Sequence, residues 1–274
     1  MKKVLFVVLT ALLSTTAYAN KCATYFEQND FDQAFIACNT EAEQGDNRAQ
    51  FYLALLYGEG KGVEADKGKS LYWYTKAAEQ GDKEAQFYLG FLYDSGEGVD
   101  VNKEKAFYWY TKAAEQGFST AQNNLGVMYN EGEGVEESKE KALYWYTKAA
   151  EQGGREAQYN LGFMYDSGEG VDVNKEKAFY WYTKAAEQGL GDAQHSLGVM
   201  YDKGDGVKVD KEKALFWYKK AADSGYTEAM HKLGVIYYEG DGIEKNSKLA
   251  KKYFELACDR KFKESCDILL KGTK

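Results

Sequence analysis

The sequence has no excess of positive charge, and this excludes two broad classes of partner. Its 35 lysines and arginines are outnumbered by 43 aspartates and glutamates, so the formal net charge is −8 at pH 7. Nucleic acids and anionic lipid surfaces are bound through basic faces, so we expect no nucleic-acid partner. Aromatic residues make up 15% of the chain and charged residues 28%. The sequence therefore has enough apolar surface to bury in a folded core, and we do not expect it to be disordered.

Histidine is scarce, and the residue sets that catalysis or metal binding needs are missing. His195 and His231 are the only two histidines, 36 positions apart. On neighbouring packed helices, two imidazoles would be near the limit for sharing one zinc ion, and no further ligand of that type is available. We recognise no paired nucleophile and base and no phosphate-binding loop. The sequence therefore predicts no catalytic residue, no metal and no cofactor.

Long apolar runs are also absent, with one exception at the N-terminus. Lys2 and Lys3 precede an apolar run over residues 4–13, and Ala-Tyr-Ala at residues 17–19 supplies the small residues of a cleavage site. This pattern predicts a secretory signal peptide over residues 1–19, with an uncleaved anchor as the alternative. The run is too short for a membrane span. We expect an exported protein without a membrane span, periplasmic or secreted in a Gram-negative bacterium.

Cysteine occurs four times, always near the ends of the exported chain. An even number of cysteines in an oxidising compartment favours disulfides over metal binding or catalysis. Each pair lies symmetrically about a predicted turn, and such positions face each other across an antiparallel helical hairpin. We therefore predict two disulfides, Cys22–Cys38 and Cys258–Cys266.

What the sequence does contain is one nine-residue stretch in several copies. Trp-Tyr-Thr-Lys-Ala-Ala-Glu-Gln-Gly begins at Trp73 and recurs unchanged from Trp109, Trp145 and Trp181, with looser copies from Trp217 and Tyr253. Each copy begins 36 residues after the last, a period typical of stacked helical repeats. We predict six repeats over residues 46–261, an N-terminal capping hairpin over 20–45 and a C-terminal capping helix over 262–274.

Residues 82–117 illustrate the elements predicted within each repeat. A first helix over residues 84–94 is followed by a loop with two glycines, in which Glu97 and its equivalents are expected to form a solvated acidic stripe. Asn102 is predicted to cap a second helix, which Gly117 ends. We expect Gly90 to let the two helices approach closely, and Trp109 to be buried in the core between them.

These residues resemble the Sel-one-like repeat family, a branch of the tetratricopeptide superfamily. The matching positions in one repeat are Ala85, Leu89-Gly90, Tyr93, Gly96-x-Gly98-Val99, Lys105-Ala106, Trp109, Lys112-Ala113-Ala114 and Gly117. The resemblance implies an all-α fold, a right-handed α-solenoid of stacked antiparallel helical hairpins. The Cys-x7-Cys spacing near the C-terminus is also similar to that of the Helicobacter cysteine-rich proteins.

In that superfamily the first helix of each repeat lines a concave face, so the resemblance implies a groove there. Residues 82–117 and 154–189 differ at only five positions, all at or before residue 92 or its equivalent, so variation is concentrated on the first helix. Such a groove suits an extended peptide or a partner helix. Simple drift of solvent-exposed positions is the alternative. The predicted groove residues, expected to face solvent, are Phe51, Leu55, Phe87, Phe91, Asn123, Val127, Tyr159, Phe163, His195, Val199, His231 and Val235.

Two functions from different classes follow. The first is an exported, monomeric protein–protein interaction scaffold that binds an unidentified protein or cell-envelope partner in its groove. The second is a β-lactam-binding or weakly β-lactam-hydrolysing enzyme, which the likeness to the cysteine-rich subgroup implies. Ser138 and Lys141 match the S-x-x-K motif of such enzymes, whereas their S-D-N and K-T-G motifs are absent. We therefore expect a binding protein and no enzyme activity.

Overall fold

The computed structural model describes residues 21–272, and the predicted signal peptide lies outside the described residues. These residues form fifteen α-helices and no strand. The prediction of an all-α repeat fold is therefore confirmed. In chain order the helices are α1 Lys21–Glu27, α2 Phe31–Glu43, α3 Asn47–Glu59, α4 Lys67–Glu79, α5 Lys83–Ser95, α6 Lys103–Glu115, α7 Ser119–Glu131, α8 Lys139–Glu151, α9 Arg155–Ser167, α10 Lys175–Glu187, α11 Gly191–Lys203, α12 Lys211–Asp223, α13 Thr227–Glu239, α14 Ser247–Asp259 and α15 Lys263–Gly272.

The chain divides into two compact units, residues 1–137 and 138–274, which we call the N-terminal and C-terminal units. The described part of the N-terminal unit contains α1 to α7, and that of the C-terminal unit contains α8 to α15. Within each unit, every helix packs against the next one along the chain. Each unit is therefore a series of helical hairpins, as the 36-residue period predicts.

Local sequence signals explain where these helices begin and end. The Asn102 side chain accepts a hydrogen bond from the Lys105 amide at 2.8 Å, which satisfies one of the unpaired amides at the start of α6. After α6, Gly117 has a φ of +82°, and its amide donates to the Ala114 carbonyl. That left-handed conformation is one that glycine adopts without strain. The predictions for Asn102 and Gly117 are both confirmed.

The two helices of a repeat approach so closely that only glycine fits at one position. A Cβ atom placed on Gly90 would lie 2.7 Å from the ring of Tyr110, and one on Gly162 would lie 2.8 Å from the ring of Tyr182. Both tyrosines are buried. The expectation of close approach at Gly90 is thus confirmed. The expectation for Trp109 was wrong, because its neighbour Tyr110 faces the first helix whereas Trp109 is only partly buried.

Disulfides close both ends of the described chain. Cys22 on α1 is bonded to Cys38 on α2, and Cys258 on α14 is bonded to Cys266 on α15. No free cysteine is present among the described residues, and the predicted pairing is confirmed. Each bond joins a terminal helix to the adjacent helix, so it restrains that terminal helix against separation from the rest of its unit. By the chain-entropy model, a short loop of this kind is stabilised by about 3 kcal/mol.

The loop of each repeat rests on the start of the preceding second helix. A Cβ on Gly98 would lie 2.9 Å from the Lys67 side chain, so this glycine permits the contact. Four of the five loop carboxylates of the expected solvated stripe pair with a first-turn lysine beneath the loop, and their side chains remain between 40% and 53% exposed, so they are solvent-accessible as expected. The four ion pairs are Lys67–Glu97 at 3.3 Å, Lys103–Glu133 at 2.8 Å, Lys139–Glu169 at 3.7 Å and Lys211–Asp241 at 2.8 Å.

Candidate functional site

The predicted groove residues form two columns on the first helices, and the structure separates them. The inner column is Phe51, Phe87, Asn123, Tyr159, His195 and His231; the outer column is Leu55, Phe91, Val127, Phe163, Val199 and Val235. Members of the two columns are four residues apart along each helix, which places them on neighbouring parts of one face. The exposed fraction of each of these side chains decides which of them a partner could contact.

The inner column is packed between repeats, so its side chains are buried or half-buried. The Phe87 ring lies 5.8 Å from that of Tyr110 in its own repeat and 5.1 Å from that of Phe118, which begins the next repeat. In the C-terminal unit, His195 lies in the same way against Tyr218 at 5.7 Å and Tyr226 at 5.0 Å. These ring contacts make the column part of the repeat-to-repeat packing. The expectation that its side chains face solvent is corrected accordingly.

Phe51 departs furthest from the groove prediction. Its side chain is only 5% exposed and belongs to the hydrophobic core of the N-terminal unit. The Arg48 guanidinium covers the ring at 4.8 Å, and Arg48 in turn pairs with Glu84 at 2.7 Å and Asp82 at 3.6 Å. Phe51 is buried because this cation and the neighbouring tyrosines enclose it. It is therefore unavailable to a partner.

Other inner-column residues are half-buried. Tyr159 packs against the Tyr182 ring at 5.5 Å, and burial raises the pKa of its hydroxyl. His231 lies between Phe254 and Phe262, and its Nδ1 is hydrogen-bonded to Ser265 Oγ at 2.8 Å. Ser265 is fully buried on α15, so this contact ties the capping helix to α13. Asn123 is also half-buried.

Within the outer column, two aromatic rings are well exposed to solvent. Phe91 is 41% exposed and Phe163 is 44% exposed, so each presents a large apolar ring on the surface of its unit. The other four members, Leu55, Val127, Val199 and Val235, are half-buried. Of the predicted groove residues, the two phenylalanines are thus the side chains best placed to contact a partner.

A second exposed aromatic surface was missed by the sequence analysis. We call it the aromatic stripe: Tyr72 and Tyr108 in the N-terminal unit, and Tyr144, Tyr180 and Phe216 in the C-terminal unit, each more than half exposed. The Tyr108 ring contacts the Trp109 ring edge-on, with 4.9 Å between their centroids, and Lys112 Nζ lies over the Tyr108 ring at 5.7 Å. The exposure of Tyr108 could have been predicted from the sequence, because Tyr108 lies two residues before the buried Tyr110 and therefore points to the opposite side of α6.

Burial lowers the pKa of both histidines, and this predicts a loss of stability in acid. Neighbouring carboxylates, Glu228 beside His195 and Glu264 beside His231, only partly oppose that effect. An unfolded histidine titrates near pH 6.5. Below that pH the unfolded chain binds protons that the folded chain resists, so the free energy of unfolding should fall as pH falls towards the lower folded-state pKa.

The matched variant for this effect is His195→Phe, because Phe87 occupies the same position with the same stacking in the N-terminal unit. Urea unfolding at about pH 7.5 and about pH 5.5 should show a smaller acid loss for the variant than for the parent chain. An equal loss in the two proteins would show that His195 does not contribute.

Ser138, the residue that matches the β-lactam enzyme motif, is a helix cap in this structure. Its Oγ accepts a hydrogen bond from the Lys141 amide at 3.3 Å and lies 3.2 Å from a Glu140 carboxylate oxygen. Within residues 21–272, no group of three or more His, Cys, Asp or Glu side chains could hold a metal ion. None of the described helices is both long and apolar enough to cross a bilayer.

The repeats match a known family over most of the chain. A model of the Sel1 repeat matches residues 47–82, 83–118, 119–154, 155–190, 191–226 and 227–262. The chain belongs to the Sel1 repeat family. Sel1 repeat proteins generally act as protein–protein interaction scaffolds. No curated protein matches the sequence.

Solved Sel1 repeat structures are similar to this chain. One from Oxalobacter formigenes is 38% identical, with a TM-score of 0.81 over 88% of this chain and 96% of that one. A protective antigen present in uropathogenic Escherichia coli strains is 34% identical, with a TM-score of 0.84 over 91% of this chain but only 54% of the antigen. Cysteine rich protein B of Helicobacter pylori is 32% identical over 48% of this chain and 97% of that one, with a TM-score of 0.39, too low to carry a structural argument.

Proposed function

We propose that this Sel1 repeat protein is an exported interaction scaffold that binds a protein or cell-envelope partner through the exposed face of its first helices. The observation that carries the proposal is the outer column, which holds an exposed phenylalanine, Phe91 or Phe163, in each unit. Exposed aromatic rings on an otherwise polar helix surface are the kind of residue that anchors a partner. The two disulfides support export, because such bonds persist in oxidising compartments.

The different roles of the first and second helices of a repeat also support this assignment. The second helix supplies the buried tyrosine and alanines that hold neighbouring helices together, for example Tyr110, Ala113 and Ala114. Its sequence is similar in the first five repeats and diverges in the sixth, whereas the first helices vary throughout. A scaffold that recognises one partner needs differences between its repeats. Along the first helices the outer column provides such differences, since it reads Leu55, Phe91, Val127, Phe163, Val199 and Val235.

The test is a double variant in the outer column, Phe91→Ala with Phe163→Ala. Capture of the partner from a cell-envelope extract should fall by at least about tenfold, since apolar anchors can contribute more than 1 kcal/mol each. The melting temperature should change little, because both rings are already more than two-fifths exposed.

The matched control is Tyr108→Ala with Tyr180→Ala, which removes two rings of the aromatic stripe, one from each unit. This control should leave capture unchanged. If instead the control abolishes capture and the outer-column variant does not, the partner binds the second helices and the proposed surface is wrong.

A further inference from the structure

Each first helix of the C-terminal unit, α9, α11, α13 and α15, carries a carboxylate as its second residue, and that of α9, Glu156, pairs with Arg155 at 2.8 Å. We call Asp192 on α11, Glu228 on α13 and Glu264 on α15 the carboxylate row; each is the second residue of its helix. Glu228 and Glu264 are exposed, and Asp192 is half-buried. None of the three forms an ion pair with another residue in the described part of the chain. A first-turn carboxylate stabilises its own helix, but that role leaves its charge open to solvent.

The carboxylate row lies beside the histidines of the inner column. Asp192 and Glu228 both act electrostatically on His195, and both also act on Tyr226, so carboxylates from two first helices lie within electrostatic range of one pair of rings. Glu264 acts on His231 in the same way. The three charges are therefore part of the same surface as the inner and outer columns.

An apolar residue accompanies each of the first two carboxylates on its helix. Val199 and Val235 lie seven residues after Asp192 and Glu228, two helical turns further along the same face. On the preceding helix α9, the outer-column residue is the exposed Phe163. The face thus combines negative charge at the start of each helix with apolar side chains near its middle.

Two positive charges near this face are already engaged, whereas Lys263, which precedes Glu264, is exposed. Lys232 of α13 pairs with Asp202 at 2.9 Å, and Arg155 pairs with Glu156 at 2.8 Å. Burial keeps His195 and His231 uncharged near neutral pH. The carboxylate row itself forms no ion pair within the described residues of the C-terminal unit. The equivalent positions of the N-terminal unit differ, because Arg48 pairs with Glu84 there.

We propose that this face binds a cationic amphipathic segment of a partner protein, with lysines or arginines at the carboxylate row and apolar side chains at Phe163, Val199 and Val235. The inference rests on the proposed function and names the chemistry of its partner. A basic segment is complementary to the carboxylate row, and the net charge of −8 would speed its approach. The apolar residues are needed as well, since exposed ion pairs alone contribute little affinity.

The test uses a fluorescent amphipathic helical peptide of lysine and leucine as the probe, and a second probe with glutamate in place of every lysine. The site variant is Asp192→Asn, Glu228→Gln and Glu264→Gln in the otherwise complete exported chain. The control variant is Glu151→Gln, Glu187→Gln and Asp223→Asn, which removes the same charge from exposed positions at the ends of α8, α10 and α12.

The parent chain should bind the lysine probe in preference to the glutamate probe, with an affinity that falls as salt rises. The site variant should weaken binding by about tenfold and flatten the salt dependence, if each lost pair contributes a few tenths to one kcal/mol. The control variant should bind like the parent. Equal weakening by both variants, or equal binding of both probes, would overturn the inference. If the Phe91 and Phe163 variant loses its partner but the site variant binds the lysine probe normally, the inference fails and the proposed function stands.

Discussion

Replacing Tyr182 with alanine is expected to destabilise the protein by about 3–5 kcal/mol, the range for truncating a large buried aromatic side chain. The Tyr182 ring is only 2% exposed and fills the space above Gly162, where the two helices of the repeat approach most closely. The change should appear as a lower urea midpoint for helix loss, measured by circular dichroism.

Tyr180 on the same helix provides the control. It is 52% exposed and touches Trp181 at the ring edge, so Tyr180→Ala removes little buried surface. Its expected cost is below about 1 kcal/mol, as for most surface substitutions. Similar urea midpoints for the two variants would mean that the Tyr182 ring does not hold the repeat together, which would contradict its place in the hairpin core.

Gly198→Ala is expected to destabilise the chain by about 1–3 kcal/mol, the cost of overpacking a filled core. A Cβ at this position would lie 2.6 Å from two atoms of the buried Tyr218 ring, so α11 and α12 would have to separate. Alanine favours a helix over glycine by about 1 kcal/mol, and this gain offsets only part of the cost.

The control lies seven residues earlier on the same helix. A Cβ at Gly191 would meet its nearest neighbours at 3.6 Å, an ordinary contact, so Gly191→Ala should be neutral or slightly stabilising. Thermal unfolding of the two variants side by side separates steric clash from helix propensity. If Gly198→Ala were as stable as Gly191→Ala, the close approach of the two helices would not be a constraint on the sequence.

The sequence predicted most of the fold because its repeats carry every local signal several times. The period located the hairpins, Asn102 and Gly117 marked the ends of α6, and the cysteine spacing identified the disulfides. Such signals act within one or two helical turns, so they can be recognised without knowing how the helices pack.

The candidate surface was harder to predict, because burial there depends on a residue 31 positions away. Phe87 is covered by Phe118, and His195 by Tyr226, in each case the residue just before the next first helix. The sequence contains these pairs, but nothing local connects them. The inner and outer columns are only about 40° apart around the helix. How exposed each side chain is therefore depends on how the helices pack.

We propose that the outer column binds the partner while the second helices hold the fold together. A photo-crosslinking amino acid placed at Phe91 or at Tyr108, two exposed sites on different helices of one repeat, tests this assignment. Irradiation in a cell-envelope extract should join one discrete partner to the chain carrying the probe at position 91, and none to the chain carrying it at position 108. Crosslinking at position 108 alone would contradict the claim and place the partner on the aromatic stripe.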